Sequence, residues 1–137
     1  MVIWQGQLYW FDFGEPRGSE PGYRRPIVVV SNDVVNASDI RTVVVCAVTS
    51  NLRLAAARWN VLFNAGEANL PRPSVVNVSQ VSTLNKADLP PDASIGQVSD
   101  RRIDEIVANI TLSISRCSGD GRRAPNTSPR LGTARRP

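Results

Sequence analysis

Apolar and polar positions along the chain predict a domain built mainly of β-strands. Residues 27–31 and 42–49 are almost continuously apolar and β-branched, which is typical of neighbouring strands buried on both faces. Residues 75–84 alternate valine with asparagine, serine, glutamine and threonine, which indicates a strand with one face in water. The predicted strands lie at residues 2–13 (one or two short strands), 27–31, 42–49, 59–63, 75–84 and 95–98.

One helix is predicted to close the domain, with Ser99 or Asp100 as its N-cap. Turn-forming residues fill the connections between strands, including residues 32–40, while residues 51–58 remain ambiguous between loop and helical turn. Five or six strands before one helix indicate a small, strongly bent sheet or barrel. The apolar face of the helix is formed by Ile103, Ile106, Val107, Ile110 and Ile114.

The C-terminal segment has a different composition from the rest of the chain. Glycine, proline, serine and arginine dominate residues 116–137, where Leu131 is the only large apolar side chain. Such a segment buries too little surface to offset its ordering entropy, so we predict that it is disordered. The chain therefore divides into a folded domain at residues 1–115 and a basic tail at residues 116–137.

The net charge of +4 belongs to this tail. Six arginines against one aspartate give residues 116–137 a charge of +5, so residues 1–115 sum to −1. Overall basicity is therefore poor support for nucleic-acid binding by the folded domain, and any anion site there must be local. No signal peptide or membrane-spanning run is recognisable, which favours a cytoplasmic protein that does not bind membranes.

The residue types restrict the chemistry that this domain can perform. The chain has no histidine and only two cysteines, Cys46 and Cys117, which are far apart. Histidine-based nucleophile systems and the usual zinc sites are therefore excluded, and no metal site is expected. Cys46 lies within an apolar strand and is expected to be a buried core residue. Arginines, hydroxyls and amides remain, and these groups bind phosphates and stabilise charge that develops on them.

RNA is a suitable substrate for such a set of side chains. Its own 2′-hydroxyl supplies the nucleophile, so that neither a metal ion nor a protein nucleophile is required. The stretch "RGSEPGYRRPIVVVSND" carries two arginines directly into Pro26 at the start of a buried strand. Pro26 fixes its own φ and keeps Arg25 out of helical conformation, so the guanidinium of Arg25 leaves a rigid strand start.

Three blocks of the sequence resemble the MazF/PemK family, the toxins of type II toxin–antitoxin pairs. They are the pattern W-x-D-F … P-x-G-S-E … R-P … V-V-x-S-N-D and the strings "VCAVTSN" and "PSVVNVSQVSTLNKADL". The blocks occur in the family's order and the similarity covers roughly residues 3 to 115. In the first block the matching residues are Trp10, Asp12, Phe13, Pro16, Gly18, Ser19, Glu20, Arg25, Pro26, Val28, Val29, Ser31, Asn32 and Asp33.

The resemblance implies a fold and an activity. The fold is a mainly β domain with helices (α+β), a small SH3-like β-barrel of the type shared with the gyrase poison CcdB, with a C-terminal helix. The activity is metal-independent, sequence-specific cleavage of single-stranded mRNA without a cofactor. Arg25 and Thr49 match the family's catalytic pair, and the expected products carry a 2′,3′-cyclic phosphate and a 5′-hydroxyl.

The resemblance also implies contacts to the substrate. Ser19 and Glu20 lie in the loop that closes over bound RNA in the family. Arg24 is as well explained by a solvated loop as by RNA binding, and Gln80 as well by an ordinary satisfied amide on a strand. The expected RNA-binding residues are Ser19, Glu20, Arg24, Ser50, Asn51, Asn77 and Gln80.

The family further implies a homodimer and a small acidic antitoxin similar to MazE, with operator DNA bound only through the antitoxin complex. An alternative from another class is a non-catalytic, CcdB-like toxin of the same fold that poisons DNA gyrase, although the chain lacks the C-terminal Trp-Gly-Ile-type ending of that class. A degenerate member that binds RNA or antitoxin without cutting is a third hypothesis. For the tail we favour no specific role over a non-specific RNA tether.

Overall fold

A single curled antiparallel sheet forms the body of the protein. The computed structural model describes residues 2–15, 18 and 23–116. Its six strands follow the order β4-β5-β3-β2-β1-β6 across the sheet. The strands are β1 Gln7–Asp12, β2 Arg24–Val29, β3 Thr42–Thr49, β4 Val61–Phe63, β5 Ser74–Asn85 and β6 Ser94–Gln97.

Apolar side chains cover both faces of this sheet, which explains why its central strands read as continuous apolar runs. On β2, Val28 belongs to one buried cluster, while Ile27 and Val29 belong to the other. On β3, Cys46 and its neighbours divide in the same alternating way. The prediction of a mainly β, strongly bent sheet with a C-terminal helix is confirmed.

The closing helix, α2, spans Asp100–Ile114 and covers one face of the sheet. Ser99 is its N-cap, and the side chain of Ser99 accepts a hydrogen bond from the backbone N–H of Arg102 at 3.3 Å. Ile103 and Ile106 are buried in the core, whereas Ile114 is 77% exposed. The helix was therefore predicted correctly, but its apolar face leaves the sheet toward the C-terminal end. None of the helices in residues 2–15 and 23–116 is long and apolar enough to cross a membrane.

A short helix replaces the turn predicted for residues 32–40. This helix, α1, spans Asp33–Ala37, and the Asn32 side chain caps it by accepting from the Val35 backbone N–H at 2.9 Å. The buried Asn36 exchanges hydrogen bonds with Ser31, which fixes the helix against β3. The prediction was wrong because five residues are too few to show helical periodicity, and the same Asn and Asp that favour turns also cap helices.

Two further details of the sheet differ from the sequence prediction. The strand predicted at residues 27–31 begins earlier, at Arg24, so the two arginines are themselves part of β2. The ambiguous segment after β3 forms a 3₁₀ turn at Leu52–Ala56, capped by Asn51. Buried Cys46 is a core residue as expected, and burial raises the pKa of its thiol to about 12.

Candidate active site

Three strand ends meet at one edge of the central sheet. β3 lies between β2 and β5 and is antiparallel to both, so its last residue, Thr49, lies beside the first residues of the other two strands. Thr49 pairs with Val75 of β5. On the other side, the pairing of Ile27 with Ala47 continues to place Arg25 opposite Thr49. Because residues opposite each other in an antiparallel pair share a face, their side chains meet.

Arg25 and Thr49 are in direct contact. Nη1 of Arg25 donates a hydrogen bond to Oγ1 of Thr49 at 3.3 Å, and both residues are half-buried. Pro26 follows Arg25 and the fully buried Ile27 follows Pro26, so the backbone that carries the guanidinium is anchored in the core. The sequence expectation that these two side chains lie together thus agrees with the geometry, while their catalytic role stays a prediction.

The hydroxyl of Thr49 is oriented by two donors. Besides Arg25, the backbone N–H of Asn51 donates to Thr49 Oγ1 at 3.1 Å. A hydroxyl has two acceptor positions and one donor, so both acceptor positions of Thr49 are taken. The O–H of Thr49 therefore remains as the group with which it engages a further partner, and that partner must be an acceptor such as a phosphate oxygen.

The two side chains open into a depression of about 210 Å³ at this edge of the sheet. Three of the described lining residues are arginines, and none of them is acidic. Such a concave, one-sign surface attracts an anion more strongly than scattered charges do. The residues that line it are Trp10, Arg24, Arg25, Pro26, Val48, Thr49, Ser50, Leu70, Pro71, Arg72 and Ser74.

Arg24 lies on the β1 side of the depression. Its guanidinium carbon is 4.5 Å from the centre of the Trp10 ring, a cation–π contact that orients an otherwise exposed side chain. Trp10 pairs with Pro26 across β1 and β2, so the aromatic ring, the proline and the arginine form one wall. This geometry suits phosphate or base contact, but a role for Arg24 in RNA binding stays a prediction.

The remaining predicted RNA contacts are spread around this edge. Ser50 lines the depression, whereas the side-chain oxygen of Asn51 is used in capping by accepting from the Arg53 N–H at 3.2 Å. Asn77 pairs with Ala47 and so shares the sheet face of Thr49. Gln80 is half-buried where β5 bulges between its pairings with Ala47 and Cys46. Ser19 and Glu20 lie outside the described residues.

Arg72 and Trp10 are lining residues that sequence reasoning did not assign to the site. Arg72 stands in the string "PRPS", just before β5, and repeats the arginine–proline step of Arg25 and Pro26. That repetition was the available signal. It has no meaning until β3 is known to bring the start of β2 and the start of β5 to the same edge.

The strongest ion-pair network lies beside this edge rather than in it. Arg102 of α2 donates to both carboxylate oxygens of Glu67, at 2.9 and 2.8 Å, and to the Leu62 carbonyl oxygen at 3.0 Å. The hydrogen bond from Arg102 holds the pKa of Glu67 below its ordinary value, and burial opposes this shift only in part. The network holds the turn that leads through Leu70 to Arg72. No three His, Cys, Asp or Glu side chains among the described residues come together as metal ligands.

The sequence and the fold both match one family of toxins. Residues 4–114 match the family model described as PemK-like, MazF-like toxin of type II toxin–antitoxin system, so the chain belongs to this family. It is 49% identical over 89 residues to endoribonuclease MazF6 of Mycobacterium tuberculosis, covering 65% of this chain and 78% of the relative. Endoribonuclease EndoA of Bacillus subtilis is 28% identical over 115 residues, covering 84% of this chain and 97% of EndoA.

Solved structures share the fold at lower identity. A crystal structure of MazF from Deinococcus radiodurans superposes with a TM-score of 0.67 at 21% identity, covering 83% of this chain and 97% of that one. An endoribonuclease from a mycobacterial species, solved in complex with its cognate antitoxin, has a TM-score of 0.60 at 21% identity, covering 82% and 93%. These likenesses show that the curled sheet and its helix are the fold of this toxin family.

Proposed function

We propose that the protein is the toxin of a type II toxin–antitoxin pair and cuts single-stranded mRNA at the edge where β2, β3 and β5 meet. The observation that carries this proposal is the Arg25–Thr49 hydrogen bond at the mouth of an arginine-lined depression, in a chain of the MazF-like family. Curated relatives from three bacterial genera carry the name endoribonuclease, which supports the same reaction here.

The reaction begins with a ribose 2′-hydroxyl that attacks the adjacent phosphorus. As the new bond forms, the bond from phosphorus to the 5′-oxygen of the next nucleotide breaks. The 2′-hydroxyl proton is lost and the leaving 5′-oxygen gains one, so the products are a 2′,3′-cyclic phosphate and a 5′-hydroxyl. Negative charge that builds on the non-bridging oxygens is the barrier that the protein must lower.

Arg25 and Thr49 stabilise this charge. The guanidinium of an arginine stays protonated at any working pH, so Arg25 acts as a fixed positive charge rather than as a proton carrier. The O–H of Thr49 donates to a non-bridging oxygen, because both its acceptor positions are already used. The proteins' own dipoles are in place before substrate binds, so little reorganisation opposes the reaction.

Neighbouring polar groups contact the rest of the RNA. Arg24 and Ser50 line the depression, and Asn51 and Asn77 flank Thr49 along the chain and across the sheet. Amides such as those of Asn77 and Gln80 hydrogen-bond to base edges of unstacked nucleotides. Ser19 and Glu20 are assigned to the same substrate through their place in the β1–β2 connection, and together these residues are the proposed source of sequence specificity.

The partners follow from the family. We assign the protein an acidic antitoxin similar to MazE, which covers the cationic edge, and a homodimeric state in the cytoplasm, with operator DNA reached only through the antitoxin complex. Solved relatives support the first assignment, since a mycobacterial endoribonuclease and MazF of D. radiodurans were each crystallised with an antitoxin.

The test is incubation of the purified protein with a long single-stranded transcript in EDTA, followed by analysis of the new 5′ ends. Cleavage at one repeated short sequence, with 5′-hydroxyl and cyclic phosphate ends, is expected. Cleavage should be lost in Arg25→Ala and kept in Arg41→Ala, since Arg41 precedes the opposite end of β3. Intact RNA together with gyrase-linked DNA breaks would contradict the proposal and favour the CcdB-like alternative.

A further inference from the structure

A second arginine–proline step flanks Thr49 on the side away from Arg25. β3 has two neighbours in the sheet, and each begins next to the end of β3. β2 begins with Arg24, Arg25 and Pro26, and β5 begins at Ser74 directly after Arg72 and Pro73. Arg72 lines the same depression as Arg25 and Thr49. Thr49 therefore lies between two cations that are supplied by different strands.

The backbone of Arg72 is held on both sides. Pro73 keeps Arg72 out of helical conformation, as Pro26 does for Arg25. The hydroxyl of Ser74 donates to the Arg72 carbonyl oxygen at 3.0 Å, and Ser74 itself is 5% exposed. Before Arg72, Leu70 is 2% exposed and its backbone N–H donates to the Glu67 carbonyl oxygen at 2.9 Å. Fixing a flexible cation in this way lowers the entropy lost when it binds an anion.

The surroundings of Arg72 fit an anionic ligand rather than an internal ion pair. The ion pairs within residues 2–15 and 23–116 both belong to Arg102, and the carboxylates that Arg102 holds are Glu67 and Glu105. Arg72 is exposed, and the described lining of its depression contains no carboxylate. A nucleic-acid strand that places its scissile phosphate on Arg25 and Thr49 carries another phosphate on each side of it.

We propose that Arg72 is a substrate-binding residue that holds one of the two phosphates flanking the scissile phosphate. This inference rests on the proposed function, because it takes single-stranded RNA as the ligand of the depression. The substrate then runs across three strand ends, past Trp10 and Arg24, over Arg25 and Thr49, and onto Arg72. Arg72 contributes binding and register, while charge stabilisation at the reacting phosphorus belongs to Arg25 and Thr49.

The test measures binding of a short oligonucleotide that has the cleaved sequence but lacks the 2′-hydroxyl at the cleavage position. Arg72→Ala should weaken binding by about tenfold or more, the range for losing a charge-assisted hydrogen bond, and Arg72→Lys should restore part of it. The slope of log affinity against log salt should fall by about 0.7, the value for one phosphate of a single strand. Arg41→Ala, an equal loss of charge beyond the depression, should change neither quantity.

A neutral methylphosphonate at each flanking phosphate identifies the contact. In the wild type, one of the two substitutions should weaken binding, and in Arg72→Ala the same substitution should have no further effect. Equal losses in wild type and variant at both positions would overturn the inference, as would affinity in Arg72→Ala equal to that of Arg41→Ala. Because the oligonucleotide is not cut, failure of Arg72 and failure of the cleavage reaction are seen separately.

Discussion

Thr49 shows how much one side chain's partners constrain its chemistry. Its oxygen accepts from Arg25 and from the Asn51 backbone, so its proton points to whatever enters the depression. In the proposed reaction this O–H and the Arg25 guanidinium share the developing charge. Each is therefore expected to matter more than an ordinary surface contact would.

Replacing Thr49 with valine keeps the shape and removes the hydroxyl. We expect kcat for RNA cleavage to fall by about 10²-fold or more, the usual cost of losing one such donor. Thr49→Ser should retain most of the activity, since it keeps the O–H and loses only a methyl group. Single-turnover cleavage of one defined RNA measures both variants, and a Thr49→Val rate within about threefold of wild type would remove the hydroxyl from the mechanism.

The sequence was sufficient to place Arg25 beside Thr49 but not to find Arg72. Arg25 precedes a proline and a buried strand, and Thr49 ends the next strand, so adjacency followed from the two patterns alone. Arg72 lies 23 residues beyond Thr49 and reaches the site only because β5, rather than β4, pairs with β3. Strand order is a property of the whole fold, which local patterns do not specify.

Among the elements, the helix α2 and the turn before β5 act together. Arg102 binds Glu67 through both carboxylate oxygens, and it also contacts Glu105 and the ring of Phe63. The guanidinium of Arg102 is therefore a bidentate clamp between the helix and the turn at Glu67–Asn69. Its effect on the site is indirect, through the position of the segment that ends at Arg72.

This clamp should make stability depend on pH through Glu67. Its pKa is lower in the folded than in the unfolded chain, mainly because of the hydrogen bond from Arg102. The pair's stabilisation is therefore complete above the ordinary glutamate pKa and is lost as pH falls through the lowered value. Glu67→Gln should reduce the free energy of unfolding in urea near neutral pH, and its difference from wild type should shrink in acid.

The more exposed partner of the same arginine provides the control. Glu105 has 41% side-chain exposure against 28% for Glu67, and it makes one contact with Arg102 instead of two. Glu105→Gln should therefore cost less than Glu67→Gln near neutral pH. If the two variants unfold at the same urea concentration at every pH, the bidentate pair with Glu67 has no special role.

Element predictions succeeded where patterns were long. Thr42–Thr49 matches its predicted range because eight apolar, β-branched residues admit one interpretation. The helix α2 was found through its cap and its 3.6-residue period. In contrast, α1 was missed because asparagine and aspartate favour turns and helix starts alike, and β5 was predicted without its bulge because a bulge depends on the partner strand.

At the scale of the whole molecule, charge separates the described domain from the tail. The first 115 residues carry −1 in total, yet three arginines line a single depression. Local concentration of charge, rather than net charge, is therefore what attracts an anion to this fold. The predicted tail, apart from Arg116, lies outside the described residues, so its disorder and its role stay predictions.

Deleting residues 117–137 tests the hypothesis that the tail has no specific role. The truncated protein should cleave RNA with kcat and KM close to those of the full chain. The salt dependence of RNA affinity should also be nearly unchanged. A tether would behave differently: losing five arginines would lower the salt slope by several units, at about 0.7 for each phosphate released. Such a drop would reassign the tail to RNA binding.

The central claim is that a fixed guanidinium beside a threonine hydroxyl stabilises the reacting phosphorus. The most direct measurement is the single-turnover cleavage rate of Arg25→Ala on one defined RNA in EDTA, beside Arg41→Ala. The account predicts a loss of about 10³-fold or more for Arg25→Ala, the range seen when a charge-stabilising arginine is removed from phosphoryl transfer, with Arg41→Ala at the wild-type rate. Cleavage by Arg25→Ala at the rate of Arg41→Ala would contradict it.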